Sequence, residues 1–140
     1  MFHITRKGDY AIRGMIHLAG RPRGEVALLR DIAAESGVPP ALLAKIFQHL
    51  NKTGLVRSQR GAGGGFQLGR QAKDISLLDI IEAVDGPISM NLCIIERGSC
   101  GREPFCSVHP VWIKMQRKFK AELGRISLQK LAGKAAAHGG

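Results

Sequence analysis

Leu28-Leu29-Arg30-Asp31-Ile32-Ala33-Ala34-Glu35-Ser36-Gly37-Val38-Pro39-Pro40-Ala41-Leu42-Leu43-Ala44-Lys45-Ile46-Phe47-Gln48-His49-Leu50 is the stretch that decides the fold. Leu28, Leu29, Ile32 and Ala33 recur at helical spacing over about 28–36, and Gly37 stands where a helix ends in the left-handed conformation. Pro40 suits the first turn of the next helix, where a missing N–H costs nothing. That helix, about 40–53, turns Leu42, Leu43, Ile46, Phe47 and Leu50 inward and Lys45, Gln48, His49 and Lys52 outward. A short helix, a glycine turn and a second helix make a helix-turn-helix. Leu55–Arg60 then reads as a strand, Gly61-Ala62-Gly63-Gly64-Gly65 as a flexible tip and Phe66-Gln67-Leu68 as the return strand. Such a hairpin is a wing, and glycine at its tip lets backbone approach a groove closely.

Outward from this centre, residues 4–20 predict an amphipathic helix with Ile4, Tyr10, Ala11, Met15, Leu18 and Ala19 near helical spacing, ended by the Gly20–Gly24 break. Ser76 predicts an N-cap for a helix over 77–85, with Asp79 at its third position and Gly86-Pro87 as its stop. Val108, Trp112, Met115, Phe119, Leu123 and Ile126 form a coiled-coil-like seam on a helix expected over 109–131. The fold class is mainly α with a small β-hairpin wing. The expected units are a winged helix-turn-helix (1–86), a cysteine loop (87–108), a dimerisation helix (109–131) and a disordered tail (132–140).

The formal net charge is +10, and it is unevenly spread. Lys and Arg outnumber Asp and Glu by six to two in residues 1–30, four to two in 31–60 and seven to one in 111–140; residues 61–110 reverse this, four to six. A polyanionic partner for the first half fits. No apolar run is long enough for a bilayer span, and Met1–Gly8 shows no secretory apolar region. The expectation is a cytoplasmic protein with no membrane partner.

Three cysteines, Cys93, Cys100 and Cys106, crowd into one short stretch, separated by six and five residues. An odd number without an export signal argues against a disulfide framework. Structural zinc favours closer pairs, whereas wide gaps with Gly98, Gly101 and Pro104 suit a loop wrapped around something larger. Thiolates are soft donors appropriate to an iron–sulfur cluster; structural zinc and free thiols are the competing readings.

Thr5-Arg6-Lys7-Gly8-Asp9-Tyr10-Ala11, the wing Arg60-Gly61-Ala62-Gly63-Gly64-Gly65-Phe66 and the cysteine trio ahead of a long C-terminal helix together resemble the IscR, NsrR and RirA (Rrf-two) family of winged-helix iron–sulfur regulators. The likeness spans residues 2–131. It implies a homodimer built on the C-terminal helices, each subunit presenting one recognition helix to a double-stranded DNA operator. It also implies an iron–sulfur cluster, 2Fe–2S rather than 4Fe–4S, on Cys93, Cys100 and Cys106. The fourth ligand that the resemblance implies is His109, as in IscR-like members, with Asp9, as in NsrR-like ones, as the alternative and water or a thiol as the remaining option. One departure stands out: the family usually spaces both gaps by five residues, and here the first gap is six.

In a helix-turn-helix the start of the second helix lies nearest the base edges, which selects Pro40, Ala41, Ala44 and Lys45, with Gln48 and His49 further along. Lys45 and Gln48 carry donors and acceptors for guanine and adenine edges. Arg60, at the base of the glycine wing, is suited to a narrow minor groove, with Gly61, Gly63 and Gly64 beside it. Arg6 and Lys7, near a helix start, are phosphate candidates. The expected function is a transcription regulator switched by a cluster that senses iron, redox state or nitric oxide. The alternative is a regulator of the same fold without a cluster, controlled by a protein partner or thiol oxidation. An enzyme is not expected: His3, His17, His49 and His138 are scattered without a catalytic context. His17, toward the apolar side of the first helix, reads as a packed core histidine.

Overall fold

A computed structural model describes residues 3–22, 24–59, 65–89 and 107–139, with side chains to position 133. Helix α1 runs Arg6–Ala19, α2 Leu29–Ser36 and α3 Pro40–Lys52. Strands β1 (Val56–Gln59) and β2 (Gly65–Leu68) form the hairpin, and a short 3-10 turn, Ala72–Asp74, leads to α4 (Leu77–Asp85). Helices α5 (His109–Arg125) and α6 (Leu128–Gly139) complete the order. The expected fold class, helical with a two-stranded antiparallel wing, is what forms.

Local chemistry accounts for most boundaries. Thr5 caps α1 by accepting the Gly8 N–H at 2.9 Å. Gly37 ends α2 at φ +72°, a conformation that favours glycine. Pro40 opens α3 without an unsatisfied donor. Ser76 and Asp79 cap α4 reciprocally, each side chain 3.0 Å from the other's backbone N–H.

The core lies between α1, α2, α3, α4 and the inner face of the hairpin. Met15, Ile32, Leu43, Ile46, Phe47, Leu50, Ile75 and Ile80 are fully buried there. A Cβ on Gly14 would sit 2.9 Å from the Phe47 ring, so α1 and α3 meet at a position that only glycine fits without a shift. Phe47 meets Phe66 of β2 edge to face at 5.1 Å, fastening α3 to the wing. Leu42, expected inside, is only half-buried. Val56 pairs with Leu68, Arg57 with Gln67, Ser58 with Phe66 and Gln59 with Gly65. Ala27 adds a bridge to Phe66, through mutual backbone hydrogen bonds of 2.8 Å.

The C-terminal region departs from expectation. The helix expected over 109–131 is broken at Ile126-Ser127, where the chain turns extended. There the Leu77 N–H donates to the Ile126 carbonyl at 2.8 Å, and the Leu128 N–H donates to the Ile75 carbonyl at 2.7 Å. Ser127 Oγ accepts the Lys130 N–H at 3.1 Å and so starts α6. Two new backbone bonds and a cap replace those that a continuous helix would have made. The segment expected as a disordered tail, 132–140, continues α6 as far as Gly139. Leu128 is fully buried in the main core, so α6 is anchored to the first domain's helices.

Candidate nucleic-acid interface and cysteine segment

Helix α3 has two faces. Leu43, Ile46, Phe47 and Leu50 are buried, which fixes the helix's rotation about its axis. Ala41, Lys45, Gln48 and Lys52, spaced by four, three and four residues, are all exposed. Pro40 and His49 are exposed as well, whereas Ala44 is half-buried and belongs to the flank. The exposed strip therefore starts with small residues, continues through donors and acceptors, and carries no carboxylate. Such a strip lets a helix lie deep in a groove and still pair with base edges.

The hairpin extends this surface. Its strands are described up to Gln59 and from Gly65; Arg60, Gly61, Gly63 and Gly64 lie outside the described residues. Arg57 is exposed on β1, and Arg30 is exposed on α2. Neither was singled out from sequence, because the facing of one arginine in a short strand or helix has no local signal. Arg6 and Lys7 are both exposed in the first turn of α1.

His17 is not a core residue. Its side chain is 15% exposed and bridges α1 to α2, with Nδ1 3.3 Å from Glu35. Its Nε2 accepts from Arg21 Nε at 3.1 Å. Burial lowers its pKa, and the Arg21 charge acts in the same direction, against Glu35 and Asp31.

Cys93, Cys100 and Cys106 lie outside the described residues, but both stems of their segment are described. On the first stem, Ile88 is buried and donates its N–H to Glu82 of α4 at 2.9 Å. On the second, His109 is half-buried at the first position of α5. Lys120 of α5 reaches the same Glu82 carboxylate at 3.2 Å, so one side chain ties both stems' supporting helices together. The start of α1 closes on the same place: Thr5 Oγ1 donates to Asp85 at 2.6 Å. A Cβ on Gly8 would come within 2.7 Å of that Asp85 carboxylate. Asp9, the next residue, pairs with Arg13 at 3.0 Å. Among the described residues, no group of three His, Cys, Asp or Glu side chains is arranged to hold a metal ion.

Helix α5 has no fully buried side chain, although Trp112, Ile113, Phe119 and Leu123 are half-buried. Val108 (41% exposed), Val111 (47%) and Met115 (38%) leave an apolar strip open at its start. No helix among the described residues is long and apolar enough to cross a membrane.

Comparison with known proteins agrees with this architecture. A family model described as "Rrf2: Iron-dependent Transcriptional regulator" matches residues 4–134. The transcriptional regulator IscR of Xenorhabdus nematophila is 35% identical over 128 residues, covering 91% of this chain and 77% of that protein. Among solved structures, CymR, the global cysteine regulator of B. subtilis, superposes with a TM-score of 0.76 at 32% identity, covering 96% of this chain and 98% of that one. T. potens IscR superposes with the same TM-score at 28% identity, covering 98% and 91%. By family match, by sequence and by fold, this chain belongs to the Rrf2 family of transcriptional regulators, DNA-binding proteins rather than enzymes.

Proposed function

We propose that this regulator is a homodimer whose operator affinity is switched by an iron–sulfur cluster held on Cys93, Cys100 and Cys106, with His109 as fourth ligand. The donor set fits such a group: three thiolates and an imidazole are soft, electron-rich ligands. When bound, the cluster supplies a redox-active centre whose gain or loss is the signal. The similarity to IscR proteins favours this reading over thiol chemistry alone. The observation that carries it is the convergence on α4. Glu82 fixes the Ile88 stem and the α5 helix, and Asp85 holds the start of α1. A change in the cysteine segment therefore reaches, through one helix, both the dimer helix and the domain that presents α3.

The open strip of Val108, Val111 and Met115 supports pairing through α5, because apolar side chains so exposed gain by being covered. For DNA, α3 enters the major groove with Pro40, Ala41, Lys45 and Gln48. Arg60 and the Gly61, Gly63 and Gly64 backbone enter the minor groove, and Arg6 and Lys7 contact phosphate. Switching requires that ligation favour one dimer arrangement over another, since equal affinity for both shifts nothing.

A second reading has its own support. The fold matches CymR, a cysteine regulator, as well as it matches an IscR. On that reading the three cysteines respond by thiol oxidation and no cluster forms.

One experiment separates the two. The protein is purified without oxygen, assayed for iron and acid-labile sulfide, and titrated on operator DNA before and after cluster removal. Stoichiometric iron and sulfide, visible absorption that weakens in His109→Ala, and a change in operator affinity are the expected results. Asp9→Ala serves as the control for the alternative fourth ligand. Iron-free protein whose DNA affinity follows thiol oxidation refutes the cluster reading and supports the second.

A further inference from the structure

A cleft of about 730 Å³ opens between the end of α1, the hairpin and α6. One wall is the end of α1 with the loop after it; another is the outer face of the hairpin, where Arg57 and Gln67 are cross-strand partners. The chain leaving the hairpin brings Arg70 and Lys73, and α6 closes the remaining side with Gln129, Ala132 and Gly133. The small residues on α6 leave the volume unfilled. A space of this size falls within the range that holds a small metabolite, roughly 300–1,000 Å³.

The lining is electrically lopsided. Arg21 and Glu25 pair with each other at 3.0 Å and offset one another. Arg57 and Lys73 form no ion pair among the described residues, and Arg70 meets only a neutral acceptor, the Thr53 carbonyl at 3.5 Å. Among the described residues, Arg57, Arg70 and Lys73 thus share a concave space whose lining carboxylate, Glu25, is paired with Arg21, while Gln67, Gln71 and Gln129 supply amide donors. Like charges gathered in a cleft focus a positive potential, which a multiply charged anion relieves.

None of the cleft's lining residues belongs to α2 or α3, so it lies off the α3 strip, although Arg57 and Gln67 come from the hairpin that extends the DNA-reading surface. It is connected to that strip through β1: Arg57 lies three residues before Arg60.

We propose that this cleft binds a small polyanion, a metabolite carrying a phosphate group or two or more carboxylates, which bridges the base of the wing to α6. An occupant joins two parts of the chain that otherwise face each other across solvent, so it sets how far the wing is held from the C-terminal helix. Binding itself does not depend on the cluster; only its effect on operator affinity rests on the function proposed above.

The test uses the full chain, with pyrophosphate and citrate as probes and potassium chloride at matched ionic strength as the reference. Calorimetric titration and thermal melting are expected to show saturable binding of at least one anion, with a rise in melting temperature beyond that in chloride. Arg57→Gln combined with Lys73→Gln should weaken binding roughly tenfold, the scale of losing a charge-assisted contact. Arg70→Gln alone provides a milder variant should the double one fold poorly, and Lys45→Gln should bind the anion as well as wild type. Pyrophosphate binding without citrate binding assigns the phosphate class; the converse assigns the carboxylate class. Absence of binding beyond chloride, or equal binding by the cleft variants, overturns the proposal. So does loss of duplex affinity in those variants when the wild type binds neither anion, which would make the cations DNA-backbone contacts.

Discussion

At the scale of single residues, His17 links protonation to the stability of the helix-turn-helix. Its Nε2 accepts from Arg21 and its Nδ1 faces Glu35, an arrangement made by the neutral imidazole with its proton on Nδ1. Burial is the main cause of its pKa falling below 6.5. Between that lowered value and 6.5 the unfolded chain holds more protons than the folded one, so stability rises with pH in that window. The contribution is complete above about 6.5 and is lost as the solution is acidified through the lowered folded value. Urea denaturation from about pH 7.5 down to about pH 5.5 should show this decline, and His17→Gln should flatten it. An equally steep decline in the variant assigns it to other groups. Arg60 carries a second residue-scale prediction: Arg60→Ala should weaken specific operator binding by ~1–3 kcal/mol in a gel-shift titration, with less effect on non-specific DNA.

Elements are where close backbone approaches matter most. Gly69 follows β2, and a Cβ there would fall 2.2 Å from the Gly54 carbonyl oxygen, which is backbone and cannot swing away. Gly69→Ala should therefore pry open the base of the wing and destabilise the protein by about 1–3 kcal/mol in urea. Gly124 offers the contrast. It lies inside α5 with its nearest neighbour, Leu78 Cδ2, at 3.9 Å. Gly124→Ala should stabilise by roughly 0.5–1 kcal/mol, because alanine loses less backbone freedom on entering a helix. If both substitutions shift the urea midpoint alike, packing at Gly69 is not what holds the hairpin.

For the whole molecule, the question is how the C-terminal helices divide their work. Leu128 is fully buried in the core, so α6 belongs to the first domain, whereas α5 lies against α4 with Trp112, Phe119 and Leu123 half-buried and keeps Val111 and Met115 exposed. Leu128→Ala should cost about 2–5 kcal/mol of global stability. Val111→Glu with Met115→Glu should leave the fold intact but yield a monomer in sedimentation, since both side chains are exposed in the isolated chain. A dimer that survives those two charges would place the partner contact elsewhere.

The helix-turn-helix, the wing and the α4 cap were legible in the sequence because each is specified by neighbours. Apolar spacing sets the buried face of α3, Pro40 and Gly37 punctuate it, and Ser76 and Asp79 complete their cap within one turn. The exposed strip of α3 follows from the same periodicity, which turns Lys45 and Gln48 outward. Other features depended on partners far along the chain. The break at Ile126-Ser127 exists because Ile75 and Leu77 offer backbone hydrogen bonds there, and no spacing in 109–131 announces them. The Thr5–Asp85 contact joins residues eighty positions apart, and the cationic cleft gathers α1, the hairpin and α6. Sequence alone determined which local elements form and which faces they bury, since those preferences act within a few residues. Only the tertiary structure decided which distant backbone groups and charges meet, because that depends on how the elements pack.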